Sequence, residues 1–362
     1  MSRRPLLVFV GGFLGAGKTT LILAGARELE RRGFRTAVIL NDQSDSLVDT
    51  QLARAQGMSA GEVTGGCFCC RFSELMRAVD ELRTHQPQVI FAEPVGSCTD
   101  ISATILQPIR SAFPGNYQLA PFTVLVDPAR ARALLSSDAD PNLAFLFRKQ
   151  LEEADLVCFT KSDLYPDAPE LPGIITRRVS AKTGQGLAAW LDELLSGELV
   201  AGGRVLEIDY EEYARAEASL AWLNLEATLE LEIPQSPAMI LGPLLDRIEE
   251  QLTAAGISIV HLKATDDSSE GFLKAAVCAN GQPPTVEGAL DASPARQHQL
   301  LVNLRAAAAP ESVRGIVEAE IERLGAGVTH LRISCFQPAA PQPEHRMAKV
   351  AENAAGLSQT PR

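Results

Sequence analysis

Residues 11–20, GGFLGAGKTT, constrain the fold of this chain more than any other segment, because they contain the spacing G-x4-G-K-T beginning at Gly12. An apolar run, Leu6–Val10, precedes the segment, and a stretch with helical character, Leu21–Arg32, follows it. Strand, glycine-rich loop and helix in that order are the context in which this motif binds phosphate. Backbone N–H groups and the helix N-terminus then face the anion. The segment therefore predicts a nucleoside triphosphate site.

The chemistry of such loops assigns roles to individual side chains. Lys18 is expected to reach the β- and γ-phosphate oxygens, and the Thr19 hydroxyl is expected to ligate Mg²⁺. Glu93 would hold the Mg²⁺ hydration shell, unless it is only a strand-terminal carboxylate in a turn, and the Gly96 N–H would bond the γ-phosphate. Lys18, Thr19 and Glu93 are the predicted catalytic residues. The predicted contacts of the phosphate loop are Gly12, Gly15, Ala16, Gly17, Lys18, Thr19 and Thr20.

A second segment, Thr160-Lys161-Ser162-Asp163, predicts which base is bound. An ionised carboxylate at Asp163 only accepts hydrogen bonds, so it matches the N1–H and N2–H₂ donors of guanine, whereas adenine presents no such pair. Ser180-Ala181-Lys182, after the next predicted strand, would bring a backbone N–H toward the guanine O6. The predicted base contacts are Thr160, Lys161, Asp163, Ser180, Ala181 and Lys182, and the predicted nucleotide is GTP or GDP.

Length and charge limit the classes of protein to which this chain can belong. A chain of 362 residues is long enough for two domains. A net charge of −12 argues against a general binder of nucleic acid or of anionic membranes. No apolar stretch approaches the ~20 residues of a membrane span, and the first apolar run leads directly into the phosphate loop. We therefore expect a cytoplasmic protein with no nucleic-acid or membrane partner.

Apolar runs that alternate with amphipathic stretches predict an α/β fold over residues 1–200. The expected architecture is the doubly wound, mostly parallel sheet of a P-loop NTPase, with helices on both faces. The predicted strands are Leu6–Val10, Thr36–Leu40, Val89–Ala92, Phe122–Val126, Leu156–Thr160 and Ile174–Val179. The predicted helices after the first are Ser73–Thr84, Asn142–Glu153 and Leu187–Leu195.

The pattern changes after a glycine-rich linker at residues 196–203, and it predicts a smaller α+β domain over residues 201–338. Two β-α-β units with inserted strands indicate a split β-α-β sheet. The predicted strands are Leu220–Leu231, Ile257–Ala264, Phe272–Ala279, Gln299–Ala306 and Val328–Phe336, and the helices are Ser236–Ala255 and Glu311–Leu324. The tail, residues 339–362, is rich in Pro and Ala and is expected to be disordered.

Three cysteines lie within four positions in Cys67-Phe68-Cys69-Cys70. Thiolates are soft ligands that suit Zn²⁺ or Cu(I), and Zn²⁺ prefers about four ligands in a tetrahedron. Three sulfurs on one loop leave a position for a carboxylate, a water or a recipient's side chain, as metal transfer would require. A redox dithiol and inert buried cysteines remain alternatives. Cys98 is either an accessory ligand or a packed small residue, and His330, Cys335 and His345 could form a second soft site.

The chain resembles the CobW-like GTPases in the order of four segments. These are the phosphate loop, the GGCFCC segment, the Glu93-x-x-Gly96 turn and the TKSD segment. This metallochaperone family is related to the nickel-insertion GTPases of hydrogenase and urease maturation. The resemblance implies that Cys67, Cys69 and Cys70 bind the metal. The chain departs from the family at residues 41–49, NDQSDSLVD, where Asp42 and Asp45 stand in place of glutamates. These two aspartates are candidates either for metal ligation or for orienting water.

The sequence thus predicts a GTP-hydrolysing metallochaperone. Its expected ligands are GTP or GDP, Mg²⁺ at Thr19, and Zn²⁺, with cobalt as the alternative metal. Its expected partner is a client metalloprotein that the sequence does not identify, and an oligomer is compatible with the sequence. The main alternative is a GTP-regulated escort of a partner enzyme in which the thiols are a structural metal clip. An ATP-dependent small-molecule kinase is disfavoured by the TKSD segment.

Overall fold

The computed structural model describes residues 4–41, 57–324 and 327–350. The chain divides into two compact units, Met1–Tyr213 with Pro341–Arg362, and Ala214–Ala340. The two units divide after residues 213 and 340, whereas the predicted domain boundaries are at residues 200 and 338. The predicted domain boundaries stay predictions. Within the described residues, no helix is both long and apolar enough to cross a membrane.

The first unit is built on an eight-stranded sheet in which every pairing is parallel. Its strands are β1 (Leu6–Gly12), β2 (Thr36–Asn41), β3 (Ser59–Val63), β4 (Val89–Glu93), β5 (Gln118–Leu119), β6 (Thr123–Val126), β7 (Leu156–Phe159) and β8 (Thr176–Arg178). The order is β3-β2-β4-β1-β6-β7-β8, and β5 pairs with β1. The predicted α/β fold with a mostly parallel sheet is confirmed, and β3 and β5 are strands that the sequence analysis missed.

Helices lie in the connections between these strands, as the crossovers of a parallel sheet require, and two more helices follow the last strand. They are α1 (Lys18–Arg31), α2 (Phe72–Leu82), α3 (Gln107–Ala112), α4 (Pro128–Leu134), α5 (Pro141–Glu153), α6 (Leu187–Ser196) and α7 (Tyr210–Ala218). A short 3-10 turn at Arg83–His85 follows α2, and a π-helical turn at Ser102–Leu106 precedes α3. Asp127 and Asp140 cap α4 and α5 by accepting hydrogen bonds from backbone N–H groups of the first turn.

The central strands of this sheet are apolar along nearly their whole length because helices cover both faces. Residues 7–12 of β1 are all buried, as are all four residues of β6 and of β7. Polar side chains instead come at the carboxyl ends of the strands, which meet along one edge of a parallel sheet. The register pairs Leu40 of β2 with Glu93 of β4, so the residues that end these two strands are neighbours.

The second unit is an antiparallel six-stranded sheet with two long helices. Its elements are β9 (Ala221–Gln235), α8 (Pro237–Ala254), β10 (Ser258–Ser268), β11 (Gly271–Val277), β12 (Thr285–Gly288), β13 (Ala295–Ala307), α9 (Pro310–Glu322) and β14 (Gly327–Phe336). The strand order β12-β11-β10-β13-β9-β14 separates β9 from β10 by β13, and β13 from β14 by β9. These are two split β-α-β units with an inserted hairpin, and the predicted α+β class is confirmed.

The C-terminal segment differs from the expectation of disorder. Residues 341–350 belong to the first unit, where Glu344 and Met347 donate backbone hydrogen bonds to Cys69 O and Ala103 O. The described part of this segment, residues 341–350, contains no helix and no strand. Irregular backbone can still be held in place by single side chains, and that is the case here. Residues 351–362 lie outside the described part of the chain.

Candidate functional site

The phosphate loop connects β1 to α1 with glycines where the backbone needs them. Gly12 has φ +132°, and a Cβ atom there would lie 2.4 Å from the carbonyl oxygen of Leu125, so only glycine fits. Lys18, the first residue of α1, is buried, and its Nζ donates to the carbonyl oxygen of Gly12 at 2.9 Å. The loop is therefore closed on itself with the lysine ammonium inside it.

Glu93 lies beside the two residues that the sequence predicted to act with it. The Thr19 hydroxyl donates to Glu93 Oε2 at 2.8 Å, and Lys18 Nζ is 4.0 Å from Glu93 Oε1. A hydroxyl and a carboxylate in contact at the start of a helix form an oxygen-rich site that suits Mg²⁺. The structure thus brings the three predicted catalytic residues together at the junction of β4 and the phosphate loop.

Gly96 is also close to the phosphate loop. A Cβ atom at this position would lie 3.0 Å from Lys18 Nζ and 2.8 Å from a methyl carbon of Leu14. The backbone after β4 can therefore approach the lysine only because residue 96 has no side chain. Gln150 of α5 stabilises this turn, because its Nε2 donates to the carbonyl oxygens of Gly96 and Cys98 at 3.0 and 2.9 Å.

The TKSD segment follows β7 and touches the phosphate loop. The Thr160 hydroxyl donates to the carbonyl oxygen of Ala16 at 2.9 Å. Lys161 has φ +53°, an uncommon backbone conformation for lysine, and its Nζ lies 2.6 Å from Asp127 Oδ2. Asp163 is exposed, so its carboxylate is open to a ligand. Asp127 was missed by the sequence analysis, although its position directly after β6 could have drawn attention to it.

The Ser180–Lys182 segment lies next to the TKSD segment. Ser162 N–H donates to Val179 O at 3.2 Å, which joins the end of β7 to the residue before this segment. Ser180 is buried and holds a tight turn by accepting a hydrogen bond from Thr183 N–H at 3.1 Å. Ala181 is half-buried and Lys182 is exposed. The two predicted base-binding segments are therefore neighbours at one end of the sheet.

The three cysteines of the loop before α2 form one compact cluster, named here the thiol cluster. Their Sγ atoms are separated by 2.9 Å (Cys67–Cys69), 3.3 Å (Cys67–Cys70) and 3.7 Å (Cys69–Cys70), and all three thiols are free. Backbone hydrogen bonds from Cys70 and Arg71 N–H to Cys67 O fold the loop into a turn that points the thiols inward. Within the described residues, this is the only group of three or more Cys, His, Asp or Glu side chains compact enough to hold a metal ion.

Asn41, the last residue of β2, fixes the thiol cluster to the sheet. Its Nδ2 donates to the carbonyl oxygens of Val63 and Gly66 at 2.9 and 2.7 Å, and its Oδ1 accepts from Phe68 N–H at 2.9 Å. Phe68 itself is fully buried. One amide side chain therefore satisfies three backbone groups of the β3–α2 connection. The sequence analysis placed Asn41 only at the start of an altered segment and did not find this contact.

Hydrogen bonding within the thiol cluster separates the pKa values of its members. Hydrogen bonds with Cys69 and Cys70 lower the pKa of the Cys67 thiol well below its usual value. The same contact with Cys67 raises the pKa of Cys69 well above the usual value and that of Cys70 to about 11. The pKa values separate because like charges this close repel one another, so ionisation of one thiol opposes ionisation of its neighbours.

Cys98 lies beside the thiol cluster. It is buried in the turn after β4, where its N–H donates to Val95 O at 3.0 Å. Its thiol interacts with the thiols of both Cys67 and Cys69. From the sequence, Cys98 is either an accessory ligand or a packed small residue, and in the structure its thiol is a neighbour of other thiols.

The segment 342–347, named here the strap, lies over the thiol cluster. Gln342 N–H donates to Cys70 Sγ at 3.2 Å, and Glu344 N–H donates to Cys69 O at 2.9 Å. The Glu344 carboxylate accepts from Ser73 N–H at 3.0 Å and from the Ser73 hydroxyl at 2.6 Å, which satisfies a free N–H group in the first turn of α2. This contact, invisible in the sequence, covers part of the metal-binding candidate.

A second anchor of the strap is a buried ion pair. Arg346 Nε lies 2.7 Å from Asp100 Oδ2, which also accepts from the Tyr210 hydroxyl at 2.7 Å. Asp100 is completely buried, and its pKa is raised by burial, with opposing hydrogen bonds from Tyr210 and Arg346. Two side chains therefore hold the strap: Glu344 bonds α2, and Arg346 pairs with Asp100 in the segment that follows Cys98.

Several predicted site residues are not brought into this arrangement. Asp42 and Asp45 lie outside the described residues. The predicted second soft site would combine His330 and Cys335 of the second unit with His345 of the first, and it stays a prediction. Within the second unit, Cys335 Sγ donates to Pro310 O at 3.2 Å. His345 belongs to the strap, where its ring packs edge-on against Phe72 at 5.1 Å between centroids.

Comparison with known proteins places this site in a family. Residues 6–185 match the model of the CobW/HypB/UreG nucleotide-binding domain. The chain belongs to the CobW/HypB/UreG family. The predicted resemblance to CobW-like P-loop GTPases is confirmed, and the matched residues include the phosphate loop, the thiol cluster, the Glu93 turn and the TKSD segment.

Curated relatives of this CobW/HypB/UreG chain include two zinc chaperones. The chain is 32% identical to the zinc chaperone YjiA of Escherichia coli over 169 residues, which are 44% of this chain and 50% of YjiA. It is 29% identical to the zinc chaperone CobW of Pseudomonas aeruginosa over 270 residues, which are 66% of this chain and 64% of that protein. The chain thus spans half to just under two thirds of the length of these two relatives.

Solved structures similar to this CobW/HypB/UreG chain include HypB from Helicobacter pylori in complex with nickel and Zn(II)-bound YjiA GTPase from E. coli. The HypB match covers 54% of this chain and 87% of that chain, at 18% identity and a TM-score of 0.41. The YjiA match covers 88% and 99%, at 16% identity and a TM-score of 0.34.

Proposed function

We propose that this chain hydrolyses GTP with Mg²⁺ and uses the nucleotide state to control a zinc ion carried by Cys67, Cys69 and Cys70. The observation that carries the proposal is the common position of the two sites. β2 and β4 are adjacent strands, and the residues that end them, Asn41 and Glu93, hold the thiol cluster and the Lys18–Thr19 pair respectively. The phosphate site and the metal ligands are therefore connected to adjacent strands, so a movement caused by loss of the γ-phosphate can reach the metal ligands.

The residues around the phosphate loop, and the contacts among them, suit a bound nucleotide. Lys18 supplies a buried positive charge, Thr19 and Glu93 supply oxygen ligands or water contacts for Mg²⁺, and the Gly96 backbone reaches the lysine. Hydrolysis in such a site depends on positioning and on neutralising the charge of the phosphates. Guanine is the proposed base because Asp163 exposes an acceptor-only carboxylate beside Lys161 and the Ser180 turn.

The thiol side fits a soft divalent metal. Zn²⁺ with thiolate ligands at about 2.3 Å requires sulfur–sulfur separations of about 3.8 Å in a tetrahedron. The thiol cluster has separations of 2.9 to 3.7 Å, so a small opening of the loop accommodates the ion. Because the pKa of Cys67 is lowered, this thiol supplies the first anionic ligand most easily. Metal binding then displaces the protons of the other two thiols. Cobalt suits the same donors and is the alternative cargo.

Two relatives of this chain support the proposal. YjiA and the P. aeruginosa CobW are described as zinc chaperones, and YjiA also as a GTPase. We propose the same class of activity for this chain, with delivery to a client metalloprotein as its purpose. The competing hypothesis, in which the thiols are a structural metal clip in a GTP-regulated escort, differs in one measurable respect. A structural clip binds metal with the same affinity whatever nucleotide is present.

The deciding experiment is a Zn²⁺ titration of reduced protein against a chromophoric chelator, with GDP and then with a non-hydrolysable GTP analogue. A metallochaperone gives affinities that differ about tenfold or more, a coupling of about 1.4 kcal/mol. Equal affinities in both nucleotide states contradict nucleotide control and leave the structural clip. A Cys69→Ser protein is the reference for zinc that binds elsewhere, and Cys278→Ser, in the second unit, is the matched cysteine control.

The base assignment has its own test. Asp163→Asn replaces a pure acceptor by an amide with donors, so GTP affinity is expected to fall about a hundredfold because two charge-assisted hydrogen bonds are lost. Xanthosine triphosphate, which has a carbonyl where guanine has an amino group, is expected to bind better to the variant than to the parent. Asp167→Asn, a nearby exposed aspartate, is the control. ATP turnover equal to GTP turnover in the parent protein would contradict the assignment.

A further inference from the structure

Cys98 comes from a different segment than the thiol cluster but meets it in space. The residue is 4% exposed and follows β4, whereas Cys67 and Cys69 follow β3. Its thiol interacts with both of their thiols. An ordinary buried cysteine packs against apolar side chains, as the completely buried Cys158 does in the β7 strand. A thiol that faces two other thiols is in a different chemical environment.

The thiol cluster by itself supplies three ligands, and Zn²⁺ in closed sites takes four. Cys98 is outside the set of sulfurs that lie within 4.8 Å of one another, but its thiol is within hydrogen-bonding reach of the thiols of Cys67 and Cys69. We propose that Cys98 is the fourth thiolate ligand, so that the metal is held by Cys67, Cys69, Cys70 and Cys98. The inference deepens the proposed function, since it rests on metal binding at the thiol cluster.

Other nearby donors are engaged elsewhere. The Glu344 carboxylate is bonded to Ser73, and the His345 ring packs on Phe72. The strongest rival is Asp100, because its Oδ1 is buried and has no hydrogen-bond partner in the structure. Its other oxygen is held by Tyr210 and Arg346. Cys98 is preferred because its thiol forms hydrogen bonds with two of the proposed ligands and because thiolate is the softer donor.

A ligand at position 98 gives the metal a direct connection to the nucleotide. Cys98 is two residues beyond Gly96, whose backbone lies against Lys18. The hydrogen bond from Cys98 N–H to Val95 O closes this turn, and Gln150 bonds the carbonyl oxygens of both Gly96 and Cys98. A displacement of Gly96 by a γ-phosphate is therefore transmitted to the Cys98 sulfur through a short, bonded segment. The other three thiolates lack this covalent route.

The test uses Co²⁺ as a spectroscopic probe of the full chain, reduced and without nucleotide. The intensity of the thiolate-to-Co²⁺ charge-transfer band increases with the number of bound thiolates, so Cys98→Ser is expected to lower it to about three quarters of the wild-type value in a four-coordinate site. Zn²⁺ affinity is expected to fall at least about tenfold. Cys278→Ser is the control and is expected to leave the band and the affinity unchanged. Asp100→Asn tests whether Asp100, the rival candidate, is the fourth ligand instead.

The outcomes distinguish this inference from the proposed function. A Cys98→Ser protein with the wild-type band and wild-type Zn²⁺ affinity overturns the fourth ligand but leaves the three-thiol site. A wild-type protein that gives no thiolate band overturns both. If the variant does not fold, X-ray absorption of the zinc-loaded wild type decides the question, because four sulfurs support the inference, whereas three sulfurs with one oxygen or nitrogen contradict it.

Discussion

The two units of this chain bury polar side chains in different places. In the first unit, the central strands are apolar, and the polar residues come where strands end, as with Asn41 on β2 and Glu93 on β4. In the second unit, polar residues lie inside the sheet: His298 Nδ1 is 2.9 Å from Asp266 Oδ1, and both side chains are completely buried. Arg305 stacks on Trp222 at 4.0 Å and bonds Asn224 at 3.0 Å.

The difference follows from sheet type. A parallel sheet covered by helices on both faces has no room for polar groups except at the strand ends, where loops converge. An antiparallel sheet places side chains of neighbouring strands directly opposite one another, so a polar pair can satisfy itself across the strands. Asn41 and Glu93 of the first unit therefore position the loops of the candidate site, whereas His298 and Asp266 of the second unit stabilise the sheet. We expect substitutions in the two units to separate binding from stability.

The largest expected effect is on stability, in the second unit. His298→Ala leaves the Asp266 carboxyl buried without its partner, and breaking such a pair costs about 3–5 kcal/mol. The loss is to be measured as the free energy of unfolding in denaturant, with His261→Ala, a half-buried histidine on β10, as the control. GTP affinity of the folded variant is expected to stay at the parent value. A loss of GTP affinity as large in free energy as the loss of stability would contradict the separation of binding from stability.

The second effect is on turnover, in the first unit. Lys18→Ala removes the buried ammonium from the phosphate loop, and loss of one preorganised electrostatic group slows such reactions about 10²–10³-fold. The rate is to be measured by single-turnover GTP hydrolysis, with Lys149→Ala on α5 as the control. The unfolding midpoint is expected to change little. Parent-level hydrolysis by Lys18→Ala would contradict the nucleotide assignment.

The third effect compares two asparagines. Asn41→Ala frees three backbone groups of the thiol loop, so Zn²⁺ affinity is expected to fall about 10–100-fold, as for other residues that orient metal ligands. Asn303→Ala, which removes a cross-strand bond to Asn224 in the second unit, is expected to leave Zn²⁺ affinity unchanged. Chelator competition measures both. The comparison fails if the two variants lose affinity equally.

The smallest effect concerns the strap. Glu344→Ala removes its contact with Ser73, and an exposed interaction of this kind is worth about 0.2–1 kcal/mol. Alkylation of Cys70 in metal-free protein is therefore expected to accelerate by about 1.4-fold to fivefold. The rate is to be followed by mass spectrometry, with Glu311→Ala in the second unit as the control. An unchanged rate would show that the strap does not shield the cluster.

The sequence predicted the elements whose patterns are long or distinctive. The apolar runs gave the central parallel strands, and the alternation in the second unit gave the split β-α-β topology. β3 was missed because its five residues, SAGEV, are short and mostly small or polar. The strap was missed because it is irregular backbone held by Glu344 and Arg346, and single-residue anchors leave no periodic signal.

The site was predictable where a motif carries its own spacing, as in the phosphate loop, TKSD and the three clustered cysteines. The contacts of Asn41, Asp127 and Cys98 were not predictable, because each joins segments distant in sequence through the order of the strands. The register that sets Leu40 opposite Glu93 is needed before Asn41 can be seen to face the thiol loop. Sequence spacing thus identifies the reacting groups, and topology identifies the residues that hold them.

The strap also has a consequence in time. Glu344 is 271 residues beyond Ser73, the residue it bonds on α2. A ribosome that adds about 5–20 residues per second needs roughly 15–50 seconds to synthesise that stretch. During this interval the cysteine loop has been made and its cover has not. The newly synthesised chain therefore passes through a period in which its thiols lack the strap and are open to solvent and to oxidant.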